Sequence, residues 1–149
     1  QRFGYSTVLY ARKGYDAQCV ERLDGWHPIQ VFLNKVGDRR PLGMGSATLS
    51  ILAALPEDEA EAILSHNEEE ILFVLKTDFS AVRTFLEQAR RNGYALSHGM
   101  LLQETIGVSH VLRMGNEVIG SIAVDAVHTA QWDRDQPLII KALRDALLA

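Results

Sequence analysis

The segment Gly43-Met44-Gly45-Ser46 carries residue types that suit an anion. Two glycines let backbone approach a ligand closely, and Ser46 opens a run that reads as a helix, whose free N–H groups favour negative charge. It lacks the third glycine of a dinucleotide fingerprint and the lysine of a P-loop, which argues against a nucleotide. A carboxylate suits the position better. The histidines His27, His66, His98, His110 and His128 show no H-x-x-x-H spacing that would bring two of them onto a metal. No G-x-S-x-G elbow occurs, and the single Cys19 has no base beside it. Glu104 is a lone carboxylate in an expected loop. These spacings lead us to expect no catalytic set, metal or cofactor, and Cys19 reads as a small buried strand residue.

A second constellation lies near the C-terminus. Ile106 to Met114 and Glu117 to Asp125 read as strands flanking Gly115-Asn116, a two-residue hairpin turn. Counting from that turn pairs Met114 with Glu117, Leu112 with Ile119, His110 with Ser121, Val108 with Ala123 and Ile106 with Asp125. Alternate residues share a face. One face then carries Val108, His110, Leu112, Ile119, Ser121, Ala123 and Asp125, and the other Val118, Gly120, Ile122 and Val124. Small residues leave volume, apolar walls exclude water, and the few polar groups orient a ligand, as a small-molecule pocket requires. A buried Asp125 needs a donor, from a ligand, His110 or backbone. The alternative is that this face simply meets solvent.

The elements that must position these residues follow from composition and period. Tyr5 to Arg12 and Ala17 to Leu23 are rich in β-branched and aromatic residues and predict strands joined by Lys13-Gly14-Tyr15-Asp16, with a further strand over Ile29 to Val36. Ser46 is expected to cap a helix through Leu55, ending at Pro56. A second helix starts at Pro56-Glu57-Asp58-Glu59, with carboxylates at the positive dipole end. Ile71 to Leu75 is ambiguous by period. Asp78 caps the clearest helix, striped with Val82, Phe85, Leu86 and Ala89, and Asn92-Gly93 stop it after Arg90-Arg91. A last helix is expected over Asp135 to Leu148. Strands, helices, then two strands and a helix describe an α+β domain with an antiparallel sheet.

The whole composition bounds the function. With 149 residues, 47% hydrophobic and 23% charged, the chain is sized and composed as one globular domain. No linker, low-complexity tract or repeat divides it. One cysteine cannot form an internal disulfide, which fits a reducing compartment, and no apolar run reaches the roughly 18–20 residues a bilayer span needs. The start at Gln1 has no initiator Met and no signal-peptide core, so it reads as a fragment of a longer cytoplasmic protein. Net charge is −4 and the basic residues are dispersed. Nucleic-acid-binding domains usually carry a basic patch or a pI above about 9, so this segment is a poor DNA binder by itself.

Val36-Gly37-Asp38-Arg39-Arg40-Pro41-Leu42-Gly43-Met44-Gly45-Ser46, running on to Leu52-Ala53-Ala54-Leu55-Pro56, resembles the G-x-R-x-P-L…L-A-x-L-P signature of the effector-binding domain of IclR-type bacterial transcription regulators. Cys19-Val20-Glu21-Arg22-Leu23-Asp24-Gly25, Arg91-Asn92-Gly93-Tyr94-Ala95 and Ile106-Gly107-Val108-Ser109 are similar to further family motifs, in family order. The resemblance implies a GAF-like, profilin-like antiparallel sheet with flanking helices. It implies a winged helix-turn-helix domain preceding Gln1, dimers that pair into tetramers, and DNA binding only through that missing domain. The family's pocket implies Met44, Ser46 and Ala47 as effector-binding residues from the first motif, and His110, Ala123 and Asp125 from the hairpin. Register counting adds Val108 and Ser121. A small organic or aromatic acid is the effector class the family suggests. Asp125, where small neutral residues are common, points instead to a ligand hydroxyl or amine, or to a neighbouring arginine. Two other readings stay open: a ligand-free dimerisation module, and an enzyme on a small acid using His110 or Glu104.

Overall fold

The computed structural model describes residues 3–26, 35–75, 78–100 and 103–148. Strands β1 (Ser6–Lys13), β2 (Asp16–Leu23) and β3 (Arg39–Pro41) are followed by helices α1 (Ser46–Ala54), α2 (Glu57–Leu75) and α3 (Phe79–Asn92). Then come β4 (Ala95–His98), β5 (Thr105–Met114), β6 (Glu117–Val127) and α4 (Ala130–Leu148). The strands form one sheet of order β3-β2-β1-β6-β5-β4, with every described pairing antiparallel. The first and last parts of the chain thus meet at the sheet centre, where β1 pairs with β6.

The sheet has a core on each face. Val8, Tyr10, Ala123 and Val118 pack with Leu49, Leu52, Ile63, Leu64 and Leu86 of α1–α3. On the other face Ile106, Val108, Val124 and Ala126 pack with Tyr5 and with Trp132 and Ile139 of α4. Helix α1 is buried from Ser46 to Leu52, so it has apolar or small residues all round and no single stripe. Leu55, preceding Pro56, is extended (φ −85°, ψ 158°) and ends α1, because the proline ring disfavours a helical predecessor. The Asp78 side chain accepts from the Ser80 N–H, and left-handed Gly93 (φ 77°) closes α3, both as the sequence predicts.

Several boundaries differ from expectation. Gly45, not Ser46, is the N-cap of α1, and Ser46 is its first helical residue. Ile71 to Leu75 continue α2. Most of the strand expected over Ile29 to Val36 lies outside the described residues; Lys35 and Val36 are in loop and turn, and the short edge strand β3 follows at Arg39. The short β4 is an addition. Helix α4 begins at Ala130 rather than Asp135, since the Thr129 hydroxyl accepts from the Trp132 N–H and starts it about two turns before Pro137.

The consequential difference is in the hairpin. Met114 pairs with Glu117 and Arg113 with Val118, but Leu112 then pairs with Gly120, leaving Ile119 as an extra residue in β6. Beyond this β-bulge the partners are Val111 with Ser121, His110 with Ile122, Ser109 with Ala123, Val108 with Val124 and Gly107 with Asp125. One extra residue moves every later β5 side chain to the other face relative to β6. Val108 and His110 therefore do not share a face with Ser121, Ala123 and Asp125; Gly107, Ser109 and Val111 do.

Candidate functional site

The corrected register puts small and polar residues of the central strands under the first turn of α1. Ser109 Oγ donates to the Ser46 carbonyl at 2.6 Å, and Ser121 Oγ donates to the Ala47 carbonyl at 2.9 Å. Each strand of the hairpin thus holds one peptide of the helix start. The Leu49 N–H donates to the Gly45 carbonyl, so the amides of Ser46, Ala47 and Thr48 come before the first intrahelical bond and point out of the helix end.

The loop feeding that turn is fixed from α2. Buried Asn67 donates through Nδ2 to the carbonyls of Tyr15 (2.8 Å) and Leu42 (3.1 Å). Gly43 sits at φ +119°, and a Cβ there would lie 2.7 Å from Ile71 Cδ1, so glycine is required both by the backbone and by the helix against it.

Beside the start of α1 is a cavity lined by Ser46, Ala47, Gly107 and Asp125, with Tyr10, Arg40 and Met100 completing its polar and apolar rim. Gly107 forms part of its floor. A Cβ on Gly107 would lie 2.8 Å from Ser46 Oγ and would overlap the Asp125 carboxylate still more closely. The hydroxyl and the carboxylate therefore converge over one glycine, which only a residue without a side chain permits. The Gly45 N–H points at Met100 Sδ, 3.1 Å away. A thioether is a weak acceptor, so a ligand oxygen has reason to replace it. Burial pushes the Tyr10 hydroxyl well above its ordinary pKa, partly offset by Arg40, whose guanidinium carbon lies 6.0 Å from the Tyr10 ring centroid. The cavity holds about 30 Å³, where about 10–15 Å³ suffices for one water.

Of the residues singled out from sequence, Ser46, Ala47 and Asp125 line this cavity. Met44 and Ala123 are buried in the core beneath α1. Ser121 is spent on the Ala47 carbonyl. Val108 is buried in the opposite core against α4. His110 is on that opposite face too, its Nδ1 2.9 Å from the Val111 carbonyl oxygen. Sequence reasoning missed Gly107, Tyr10, Arg40 and Met100. A glycine inside a strand is a signal of close backbone approach, and Gly107 carried it; Arg40 and Met100 are placed by loops that no periodicity reveals.

The chain is a layered α+β domain with a polar cavity at a helix start, and comparison with known proteins gives its family. The family model described as the bacterial transcriptional regulator IclR C-terminal domain matches residues 1–149. The chain belongs to the IclR family of bacterial transcription regulators and represents its C-terminal domain. The HTH-type transcriptional regulator KipR of Bacillus subtilis (strain 168) is 27% identical over 146 residues, which are 96% of this chain and 58% of KipR. The chain thus spans somewhat over half the length of that relative. Among solved structures, the Thermotoga maritima IclR superposes with a TM-score of 0.79 at 19% identity, covering 98% of this chain and 60% of that one. The C-terminal domain of a Vibrio cholerae transcriptional regulator superposes at 0.76 with 24% identity, covering 97% and 85%. These structures share the fold of the six-stranded sheet and its helices.

Proposed function

We propose that this domain senses a small molecule in the cavity over Gly107 and thereby controls DNA binding by a winged helix-turn-helix domain outside the described chain. The observation that carries the reading is the convergence of the Ser46 hydroxyl and the Asp125 carboxylate over Gly107, beside the free amides of α1. A ligand that binds two conformations unequally shifts their balance, which is how a pocket acts on an attached domain. The proposed ligand has an oxygen for the α1 amides and a hydroxyl or amine for Asp125. Arg40, on the same rim, is the neighbouring arginine that can also balance that charge. Family membership supports the homodimer, pairing into a tetramer, as the working assembly, and the cytoplasm as its place. No helix among the described residues is long and apolar enough to cross a membrane. The relatives are transcription regulators, which supports reading the domain as not an enzyme.

The test is thermal unfolding against a panel of small aliphatic and aromatic carboxylates, hydroxy acids and amines. A ligand at about 100 times its Kd adds roughly 2.7 kcal/mol and raises the midpoint by several degrees. Asp125→Ala is expected to remove most of that rise. One observation favours a second reading, a dimerisation module without an effector: the cavity is only about 30 Å³ and Met100 already faces the Gly45 amide. No shift across the panel, with the dimer intact, would support it.

A further inference from the structure

A separate cleft lies toward the C-terminal end of α1. It is lined by Ser50, Ala53 and Ala54 of α1, Ala89, Arg90 and Gly93 at the end of α3, Tyr94, and Val111 and Arg113 of β5. It measures about 210 Å³, and an apolar cavity of about 150 Å³ is already enough for benzene. Among the described residues, Arg90 Nη2 is the one side-chain nitrogen shut off from solvent with no acceptor. Leaving a charged donor unpaired is costly, so such a group calls for an explanation. Its neighbour Nη1 has only the exposed Glu87 carboxylate at 3.5 Å, too long for a good hydrogen bond. Arg113 adds a second positive charge, and no acidic residue lines the cleft.

We infer that this cleft is a second binding site, for a small organic carboxylate, distinct from the cavity over Gly107. Nη2 has almost no accessible surface as the side chain stands, so a carboxylate in the cleft pairs with Arg90 only once that side chain turns toward it. The fork of N–H donors then matches its two oxygens. The Ala53, Ala54, Ala89 and Val111 side chains supply a wall for a short apolar body, which a bare inorganic anion would not use. The two sites share elements: α1 starts at one and passes the other, and β5 runs from Gly107 to Arg113.

Butyrate and its uncharged analogue butanamide, titrated at constant ionic strength into the 149-residue chain, test this by two-dimensional amide NMR. Butyrate should shift the amides of Ala89–Tyr94 and Val111–Arg113 saturably, and butanamide should not. Arg90→Gln should weaken the binding by about tenfold or more, the loss of one charge-assisted pair. Arg113→Gln, on the exposed part of β5, should weaken it by a smaller factor and guards against a folding defect at Arg90. Asp125→Ala should leave it unchanged. Equal responses to butanamide, affinity indifferent to both arginine substitutions, or shifts confined to Gly45–Ala47 and Gly107 would each overturn the proposal. The last pattern would still be compatible with sensing at the first cavity.

Discussion

The two faces of the central hairpin are made from the same two strands yet do opposite work. Toward α4, Ile106, Val108, Val124 and Ala126 close around Trp132, whose ring lies 5.1 Å from that of Tyr5 in an edge-to-face arrangement. Toward α1, Gly107, Ser109, Ser121 and Asp125 trade apolar volume for hydroxyls, a carboxylate and a gap. The first face binds the sheet to a helix by area. The second holds a helix start by two directed hydrogen bonds and leaves its amides open. A sheet buried on both sides can thus keep an apolar core and a polar cavity on separate faces, provided register is held.

Breaking the apolar face should cost most. Trp132→Ala removes a fully buried ring that also donates from Nε1 to Gln136 at 2.8 Å, and about 3–5 kcal/mol of stability should be lost in denaturant unfolding. Its effect on any ligand response should follow only from that general loss. Gly107→Val tests the other face: the added side chain meets Ser46 and Asp125, costing about 1–3 kcal/mol as overpacking does and removing ligand response outright. Ser109→Ala and Ser121→Ala each delete one bond to the start of α1. About 1 kcal/mol apiece is expected from urea midpoints, because the carbonyls keep helical partners.

The smallest effect belongs to the α3 cap. Hydrogen bonding to Ser80 holds the Asp78 carboxyl below its ordinary pKa. A carboxylate depressed in the folded state stabilises it at pH values above the unfolded pKa of about 3.9 and loses that contribution as pH falls through the folded value. Asp78→Ala should therefore lower the melting midpoint slightly at neutral pH and erase the difference from wild type in acid.

Most of this contrast was legible in sequence up to one residue. The turn at Gly115-Asn116, the pairing of Met114 with Glu117, the Asp78 cap and the order of helices follow from local chemistry. The face of each β5 residue does not, because counting assumes an unbroken ladder and Ile119 breaks it. The sign was present as Gly120: a Cβ there would run into the Tyr10 carbonyl, and an isolated strand glycine marks such bulges and close approaches. Counting without that residue puts Val108 and His110 on the pocket face, and the family resemblance also suggests His110. Ser46 and Ala47, placed by motif order, need no register, and Asp125 keeps its face because it lies on β6 itself. Arg40 and Met100 reach the cavity through loops, where tertiary packing alone decides position.

The most direct test sets wild type, Gly107→Val and His110→Ala side by side in the unfolding panel. A midpoint rise with at least one small hydroxy acid or amine, kept in His110→Ala and absent in Gly107→Val, is the predicted result. A rise that survives Gly107→Val, or that disappears with His110→Ala alone, would contradict recognition over Gly107 and place it on another surface of the domain.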